Sequence, residues 1–510
     1  PDSMRGYLAF FCYFGFDGYR LLQSVTGLDG LGTGASFFER IYRFQLIGTL
    51  IFLPALMSGL ITQEKERASL QLLLTTDLAP WRIVLQKYIA GLMPMLALQL
   101  TAIPMTAVAY SLGGVEARDV WMAAALILAH TLNMGAFYLA CSAYCGSSVG
   151  AFVSAYLLGA IWFALLMPLT SSATVLGFPL PPDEELQEQQ ILLIKWLPAV
   201  ALGLLILATR WLHSRAEVSR KNRLRALFNL LDSGFKRVND VVGGVNLSKK
   251  NHSLPESKPI QWRELHQRSL AKPHYLIRMG LVAEIASVAV ILYVASEASP
   301  WGEIRALSLL FYALWAIYAL ILIVQGANIA ATERSQQTLD VLLTTPLKGS
   351  TILREKSVVF SRIAAMAIIP LGTVCWTEVS MEHMFGTEVL EYAAYSLITF
   401  LAGSTFVFWL AVTIGLRMRS TFRALLTTII VLLALSIVQK FTGSNTMAIL
   451  LNPTSAITLN ETNWLKFELK LQGFDQSVYI ITNLVIVILW ALGLRFYCLT
   501  RADRLLGRAG

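Results

Sequence analysis

The segment Glu64-Lys-Glu-Arg-Ala-Ser-Leu-Gln-Leu-Leu-Leu-Thr-Thr-Asp-Leu78 recurs later in the chain as Glu333-Arg-Ser-Gln-Gln-Thr-Leu-Asp-Val-Leu-Leu-Thr-Thr-Pro-Leu347. One constant offset, the one that places Glu64 on Glu333, aligns the two copies without a gap and also brings Lys87 onto Lys356. We call it the repeat offset. Self-similarity at a fixed offset indicates that a structural unit has been duplicated. We therefore expect two halves that share the same orientation and are related by a pseudo-twofold axis.

The composition indicates that both halves lie in a membrane. Hydrophobic residues make up 55% of the chain and charged residues only 14%, which is too apolar for a soluble protein with one compact core. A spanning helix needs about 20 predominantly apolar residues. Twelve such stretches lie near residues 4–23, 42–62, 85–111, 120–143, 148–168, 191–211, 274–296, 304–330, 357–377, 391–415, 422–440 and 477–498. These stretches predict an all-α polytopic membrane protein with about 12 transmembrane helices in two parallel six-helix repeats.

Basic residues are concentrated between the two halves. From Arg210 to Lys272 the sequence holds fourteen Lys or Arg and five acidic residues, which accounts for the whole net charge of +9. Basic loops stay in the cytoplasm, so we expect a cytoplasmic linker, both termini in the cytoplasm and a multi-pass location in the inner (plasma) membrane. The predicted organisation is a first half at 1–212, a linker at 213–272 and a second half at 273–510. Acidic residues near Glu184 and Glu378 are expected in outer loops.

The linker itself carries a helical pattern. Apolar residues between Leu224 and Val238 recur at three- and four-residue spacing among Lys and Arg residues, which predicts an amphipathic helix. Such a helix would lie on the inner leaflet with its basic residues against anionic headgroups, or it would be a solvated tether. Because lipid already accounts for the basic face, we predict membrane lipid as a partner and no nucleic acid.

Each copy of the repeat follows the second spanning segment of its half and predicts a short amphipathic helix. Leucines at i, i+3 and i+4 form its apolar face. Thr76 precedes Asp77 and Thr345 precedes Pro346, which is typical of a helix N-cap and first turn. Such a helix would transmit a push from a soluble partner, or it would only anchor the loop at the membrane surface. The apolar face consists of Leu70, Leu73 and Leu74 in the first copy and Leu339, Leu342 and Leu343 in the second.

The second copy resembles the signature loop of ABC-2 type transporter permeases. That loop has an acidic residue closing the second membrane helix, a Leu-Leu-Thr-Thr-Pro-Leu stretch, and then Ile and Lys; the first copy departs from it at Asp77. Pro259-Ile-Gln-Trp-Arg-Glu264 resembles the amphipathic elbow that opens such a domain. Its first-half counterpart is not in the sequence, which begins at Pro1 rather than Met, so we expect an amino-terminal piece to be missing.

The resemblance implies the permease of an ATP-driven exporter, in which the Leu-rich loops are coupling helices that rest on two copies of a separate ATPase subunit. ATP and magnesium would bind to that subunit, because this sequence contains no Gly-x-x-x-x-Gly-Lys-Ser/Thr phosphate loop, and no cofactor is expected on this chain. The substrate, a lipid, amphipathic drug, peptide or glycan, would pass between the halves. The implied coupling positions are Glu64, Arg67, Leu70, Leu73, Thr76 and Lys87, with Glu333, Gln336, Leu339, Leu342, Thr345 and Lys356.

Two other functions share some of these features. A 6+6 secondary transporter has the same helix count, but usually carries a Gly-x-x-x-Asp-Arg/Lys-x-Gly-Arg turn where this chain has the Leu-rich repeat. A membrane-embedded enzyme would need a catalytic motif, and His-Glu-x-x-His and paired intramembrane aspartates do not occur. Gly146-Ser-Ser-Val-Gly150 has the Gly-x-Ser-x-Gly spacing, but it follows a predicted membrane helix rather than the strand of a nucleophile elbow, so it does not support an enzyme. We therefore predict that the chain is not itself an enzyme.

A few residues within the predicted spans are candidates for the substrate pathway. Glu284 is near the middle of the seventh segment, where an ionisable group suggests function by default, and His130 is expected to form a hydrogen bond between helices. Cys141 and Cys145 share a helix face, but the absence of a third ligand nearby in the sequence argues against a metal site. Aromatic residues would line an apolar cavity or simply pack. The aromatic candidates are Phe152, Tyr156, Trp162, Tyr312, Trp315 and Tyr318.

Overall fold

A computed structural model describes residues 33–66, 69–75, 78–166, 184–214, 258–267, 273–296, 300–335, 339–381, 387–418, 421–441, 452–453 and 476–507. All regular secondary structure in these ranges is α-helical, which confirms the all-α prediction for them. The chain forms two compact units, residues 1–236 (unit 1) and 237–510 (unit 2). Residues 215–257 of the predicted linker, including its amphipathic stretch, lie outside the described ranges.

Eight helices are described in unit 1. They are α1 (Thr33–Met57), α2 (Gly59–Glu66), α3 (Ser69–Leu74), α4 (Pro80–Leu100), α5 (Ile103–Ser111), α6 (Ala117–Tyr144), α7 (Ser148–Leu166) and α8 (Glu184–Ser214). The short helix α3 is the Leu-rich loop of the first repeat. The long helix α4 starts with Pro80 at its first helical position, where the missing N–H costs no hydrogen bond.

Ten helices are described in unit 2. They are α9 (Pro259–Gln267), α10 (Pro273–Ser296), α11 (Pro300–Ser335), α12 (Leu339–Leu343), α13 (Gly349–Lys356), α14 (Val358–Met381), α15 (Thr387–Arg417), α16 (Thr421–Phe441), α17 (Gln476–Thr500) and α18 (Ala502–Leu506). The Leu-rich loop of the second repeat forms α12. The repeat offset also places the start of α4 at Pro80 on the start of α13 at Gly349.

Eight helical segments among the described residues are long and apolar enough to cross a membrane. They are Gly34–Glu66, Pro80–Ser111, Ala117–Tyr144, Ile194–Leu212, Leu310–Ile329, Gly349–Ser380, Val389–Arg417 and Ile480–Thr500. Shorter apolar stretches lie in α7, α10 and α16, where the sequence predicts further spans. The first predicted span, 4–23, lies outside the described residues. These helices identify the chain as a polytopic membrane protein.

Unit 1 is organised around α6, which packs against α1, α7 and α8. Alanines at the contact between α6 and α8 are almost fully buried, among them Ala140 and Ala143 on α6 and Ala201 and Ala208 on α8. Small side chains let helix backbones approach closely, which is a main source of helix association in lipid.

In unit 2 the longest helix, α11, packs against α14, α15 and α16. A Cβ atom on Gly326 would come within 2.8 Å of the Phe408 carbonyl oxygen, and one on Gly415 within 2.8 Å of the Ala327 carbonyl oxygen. Glycine is therefore needed on both faces of the contact between α11 and α15. The same helices position the acidic end of the Leu-rich loop.

One expected loop residue is buried in a helix instead. Glu378 lies in α14 with 1% of its surface exposed, and the Tyr392 hydroxyl donates a hydrogen bond of 2.7 Å to its carboxylate. The loop prediction for Glu378 is wrong because α14 continues past it to Met381 and α15 supplies a polar partner. Glu184 likewise starts α8 rather than lying in a loop.

Candidate functional site

The first Leu-rich loop is joined to the next spanning helix by an ion pair. Glu64, near the end of α2, accepts a hydrogen bond of 2.9 Å from the Lys87 ammonium on α4. The Ser69 hydroxyl, at the start of α3, donates to the same carboxylate. One side chain therefore connects α2, α3 and α4, with 27% of the Glu64 side chain and 29% of the Lys87 side chain exposed.

The second loop has the same ion pair in a more enclosed setting. The Lys356 ammonium lies 2.6 Å from the Glu333 carboxylate, and their side chains are 2% and 8% exposed. The Arg263 guanidinium, on α9, is also 2.6 Å from Glu333, and Glu264 is 3.5 Å from Lys356. Two cations and two carboxylates thus compensate one another, as buried charges require.

A fifth residue fastens α9 to this cluster. The Glu355 carboxylate accepts hydrogen bonds of 3.1 Å from the backbone N–H groups of Ile260 and Gln261, in the first turn of α9. These N–H groups have no partner inside the helix, and a carboxylate at a helix N-terminus is favoured by the helix dipole. The elbow-like segment is therefore held against α13 by hydrogen bonds as well as ion pairs.

The two ion pairs have the same sequence separation. Each pair joins residues 23 positions apart, and the repeat offset carries the first pair onto the second. The sequence named all four residues as coupling positions but assigned them no contact with each other. Each pair therefore joins the glutamate that opens a Leu-rich repeat to the helical segment that follows the loop.

The residue after each glutamate ties the loop to the end of a further helix. The Lys65 ammonium donates to the carbonyl oxygens of Ala143 and Cys145, at the C-terminus of α6. At the equivalent position, Arg334 donates to the Met418 carbonyl oxygen, just after α15, at 3.1 Å. The last carbonyls of a helix lack intrahelical partners, so a cation here satisfies hydrogen bonds and the dipole together.

Arg334 makes one more contact, and Glu66 extends the network in unit 1. Arg334 also donates to the Leu505 carbonyl oxygen in α18 at 2.7 Å, and its partial burial lowers the pKa of the guanidinium.

Glu66 accepts hydrogen bonds of 2.7 Å from both the backbone N–H and the hydroxyl of Ser148, which starts α7. Three consecutive residues of unit 1, 64–66, therefore contact four other helices, α3, α4, α6 and α7.

The leucines expected on the outward face of the loops are not the exposed ones. Leu70 and Leu339 are 3% and 7% exposed and belong to the apolar cores of their own units. Both side chains pack within their own units, so their assignment as partner-contacting residues stays a prediction that their burial does not support. Leu73 and Leu342 are partly buried. The exposed positions are Leu72, at 73%, and its repeat equivalent Val341, at 69%.

The predicted N-cap threonine also has a different role. The Thr345 hydroxyl donates to the Leu342 carbonyl oxygen at 2.6 Å, so it closes α12 rather than opening the next helix. Helix α13 begins four residues later at Gly349, whose N–H donates to the Asp503 carboxylate at 2.8 Å. The cap thus comes from α18, far away in sequence. Arg67, Thr76 and Gln336 lie outside the described residues.

No protein-family model, curated protein or solved structure matches this chain. The candidate site is therefore defined by its own geometry: two Leu-rich loops, each with an exposed apolar tip and a Glu–Lys pair at its base. Among the described residues, no group of three or more His, Cys, Asp or Glu side chains could hold a metal ion.

Glu284, the candidate pathway carboxylate, contacts a neighbouring helix of unit 2. The Thr373 hydroxyl on α14 lies 2.7 Å from its Oε1 atom, while Oε2 is buried with no hydrogen-bond partner among the described residues. Thr373 also lies within hydrogen-bond distance of the Ile369 carbonyl oxygen, at 3.0 Å. Glu284 is therefore positioned by α14, and one of its oxygens remains available to a donor.

The aromatic pathway candidates of unit 1 join its helices to each other. The Tyr156 hydroxyl donates to the Ile51 carbonyl oxygen at 2.6 Å. The Trp162 indole N–H donates to the Asn133 side chain at 2.9 Å. Both hydrogen bonds start on α7, so these two side chains connect α7 to α1 and to α6.

The aromatic pathway candidates of unit 2 make ring contacts along α11. Trp315 is 6% exposed and meets Tyr318 edge to face. Tyr312 makes the same kind of contact with Phe311. The four aromatic candidates Tyr156, Trp162, Tyr312 and Trp315 thus make interhelical hydrogen bonds or ring contacts within their own units.

The remaining candidates are buried on α6 or close to it. His130 is 2% exposed and Cys141 is buried, while the Cys145 thiol lies 3.4 Å from the Ser154 hydroxyl. Phe152 is fully buried and packs 4.9 Å from Tyr156.

Sequence reasoning missed Lys65, Arg334, Arg263 and Glu355. A signal for the first two was present, because Lys65 and Arg334 are both basic and are related by the repeat offset. Arg263 and Glu264 were part of the elbow motif without an assigned role. Nothing local in the sequence indicated that Glu355 would cap α9, since the two are 94 to 95 residues apart.

Proposed function

We propose that this chain is the membrane permease of an ATP-binding-cassette exporter of the ABC-2 type. It would contain twelve spanning helices in two parallel halves, lie in the plasma membrane with both termini in the cytoplasm, and move its substrate between the halves. ATP would be hydrolysed by two copies of a separate subunit that rest on the Leu-rich loops.

The observation that carries this proposal is the pair of loops with matching internal ion pairs. Each loop has an apolar residue at its tip, Leu72 or Val341, that faces away from its unit. Each also has a Glu–Lys pair at its base, Glu64–Lys87 or Glu333–Lys356. An exposed apolar tip is suited to docking, and a rigid base is suited to transmitting force.

The contacts around the Glu–Lys pair are suited to transmitting a movement of the Leu-rich loop to the spanning helices. A displacement of α3 would pull on Glu64 and hence on Lys87 in α4, while Lys65 and Glu66 would pass the same motion to the ends of α6 and α7. Packed elements with two discrete arrangements are a recognised means of amplifying small shifts. An interfacial anchor that only held the loop on lipid would not need connections to three spanning helices.

The test uses the tagged full chain, purified from its native membranes in mild detergent. We expect a co-purified subunit that carries a Gly-x-x-x-x-Gly-Lys-Ser/Thr motif, with vanadate-sensitive ATP hydrolysis. The double variant Leu72→Asp/Val341→Asp should lose the subunit and the hydrolysis but keep its thermal stability, because both side chains are mostly exposed in the wild type.

The buried leucines provide the matched control. Leu70→Asp/Leu339→Asp should lower thermal stability, since it places carboxylates in apolar cores. Normal subunit binding and ATP-driven transport by the Leu72→Asp/Val341→Asp variant would refute the coupling assignment. Transport in vesicles that runs on an ion gradient without ATP would instead favour the 6+6 secondary transporter.

A further inference from the structure

The tip of the first loop exposes a larger apolar surface than its leucine alone. This first tip comprises Leu72, Thr75, Leu78, Trp81 and Arg82. Leu72, Leu78 and Trp81 are 73%, 40% and 53% exposed, and the Arg82 guanidinium lies over the Trp81 ring at 5.4 Å from its centroid. An exposed Trp–Arg pair next to leucines has the composition of a protein-binding hot spot.

The tip of the second loop is chemically different. The repeat offset places Val341, Thr344, Leu347, Ser350 and Thr351 at the equivalent positions, and we call these residues the second tip. Val341 is exposed, but a serine and a threonine stand in place of the tryptophan and the arginine, and both are only half-exposed. The second tip therefore offers no aromatic side chain.

The start of α13, which contains Ser350 and Thr351 of the second tip, is contacted by α18 of the same chain. The Asp503 carboxylate in α18 accepts the Gly349 N–H, and Leu506 belongs to the same apolar cluster as Leu339 and Leu353. A Cβ atom on Gly349 would lie 2.7 Å from the Asp503 carboxylate oxygen and 3.0 Å from its backbone nitrogen, so glycine allows this close approach.

A contact like the one between Gly349 and Asp503 cannot form at the first tip. Pro80 stands where Gly349 stands in the repeat, so it has no N–H to donate and its ring fills the space that Gly349 leaves free. The next residue is Trp81, whose ring remains half-exposed. The short helix α18, with an acid and leucines, thus packs against the start of α13 next to the second tip. At the first tip, Pro80 excludes the same contact and Trp81 is half-exposed.

We infer that the first tip is the principal docking site for the ATPase subunit and that the second tip is a weaker contact. This inference rests on the proposed function. We expect the surface that accepts Trp81 to be apolar and edged by carboxylates, because Arg82 brings a cation over the ring and because Asp503 and the leucines of α18 pack beside the second loop. Two identical subunits then bind one chain with unequal strength.

The experiment places a photo-crosslinking amino acid, p-benzoylphenylalanine, at position 81 or position 350 of the full chain in native membranes. Irradiation at position 81 is expected to link the chain to the subunit carrying the phosphate-loop motif, with a much lower yield from position 350. Trp81→Ala is expected to weaken binding of that subunit at least about 30-fold, the loss typical of an aromatic hot spot. Arg82→Glu should also weaken it, and more strongly at low salt.

Trp121→Ala is the matched control. Trp121 is 76% exposed in unit 1 but lies near the opposite end of α6 from the Lys65 contact, about 22 residues or about 33 Å along the helix. Trp121→Ala should leave binding of the subunit unchanged. Trp81→Phe should retain most of the binding, because it keeps an aromatic ring. Retained binding by Trp81→Phe together with loss by Trp81→Ala excludes a folding defect.

Several results would overturn the inference. Equal losses from Leu72→Asp and Val341→Asp, with Trp81→Ala neutral, would refute unequal docking and leave the proposed function in place. A crosslink from position 81 only to lipid, or only to residues 215–257 of the same chain, would show that another occupant covers Trp81. Absence of any phosphate-loop subunit from both crosslinked products would reject the proposed function as well.

Discussion

The Lys356 ammonium and the Glu333 carboxylate form a buried ion pair 2.6 Å apart, while the equivalent Lys87 and Glu64 pair is more than a quarter exposed. The difference arises from α9, whose Arg263 and Glu264 enclose the second pair. We therefore expect the two Glu–Lys pairs, although equally spaced in sequence, to contribute differently to the stability of their units.

The first prediction follows from that difference in burial. Lys356→Met leaves Glu333 and Glu264 facing a single cation, Arg263, and should destabilise unit 2 by about 3–5 kcal/mol. Lys87→Met should cost about 1 kcal/mol or less, because water can solvate Glu64. Thermal unfolding of both variants in one detergent measures the contrast. The double variant Glu333→Gln/Lys356→Met should recover part of the loss, and equal effects of the two single variants would contradict the argument.

The second prediction concerns the cations at the ends of α6 and α15. Lys65→Met and Arg334→Met remove charged hydrogen bonds to terminal carbonyls and should each cost about 1–3 kcal/mol. Hydrogen exchange should increase in the peptides around Ala143 and Met418, respectively. Lys195→Met, which removes an exposed cation on α8, is the control. It should change neither the stability nor the hydrogen exchange of these two peptides. Unchanged protection at both helix ends would show that these contacts contribute no stability.

The third prediction concerns the close contact between α13 and α18. Gly349→Ala should displace α18, because the new Cβ atom would meet the Asp503 carboxylate and backbone. Asp503→Ala removes the cap without a clash and should cost about 0.5–2 kcal/mol. Gly493→Ala is the control, since nothing lies within 4 Å of a Cβ atom there and alanine favours the helix. Limited proteolysis at the carboxyl terminus should separate Gly349→Ala from the control.

The fourth prediction concerns Glu284. Glu284→Gln keeps the hydrogen bond to Thr373 but removes the charge, and it should reduce transport and substrate-stimulated ATP hydrolysis without lowering thermal stability. Thr373→Val should produce a smaller loss, because it only releases the carboxylate from its position. Full transport activity of Glu284→Gln in reconstituted vesicles would assign the residue a purely structural role.

The fifth prediction concerns stoichiometry. A chain with two Leu-rich loops should bind two ATPase subunits without a second copy of itself. Native mass measurement of the detergent-solubilised complex should give one chain and two subunits. Two copies of this chain for each pair of subunits would contradict the interpretation of the chain as a fused dimer. Trp81→Ala should shift the population toward complexes that have lost a subunit.

Several features of the fold could be predicted from the sequence. Stretches of about 20 apolar residues predicted the spanning helices, since their length and composition are properties of the local chain. The repeat offset identified Glu64, Lys87, Glu333 and Lys356 together, because duplication preserves spacing as well as residue type. The all-α membrane character and the duplication of the two loops therefore needed no knowledge of tertiary contacts.

Other features were decided only by tertiary structure. Leu70 and Leu72 are two residues apart in the same short helix, and the sequence analysis placed Leu70, but not Leu72, on the apolar face and among the coupling positions. The packing of α3 against its unit buries Leu70 and exposes Leu72 instead. Glu355 and Asp503 cap helices that are 94 or more residues away in the chain. Helix periodicity fixes which residues share a face, but only the neighbouring helices determine which face is covered, because burial depends on contacts between distant segments.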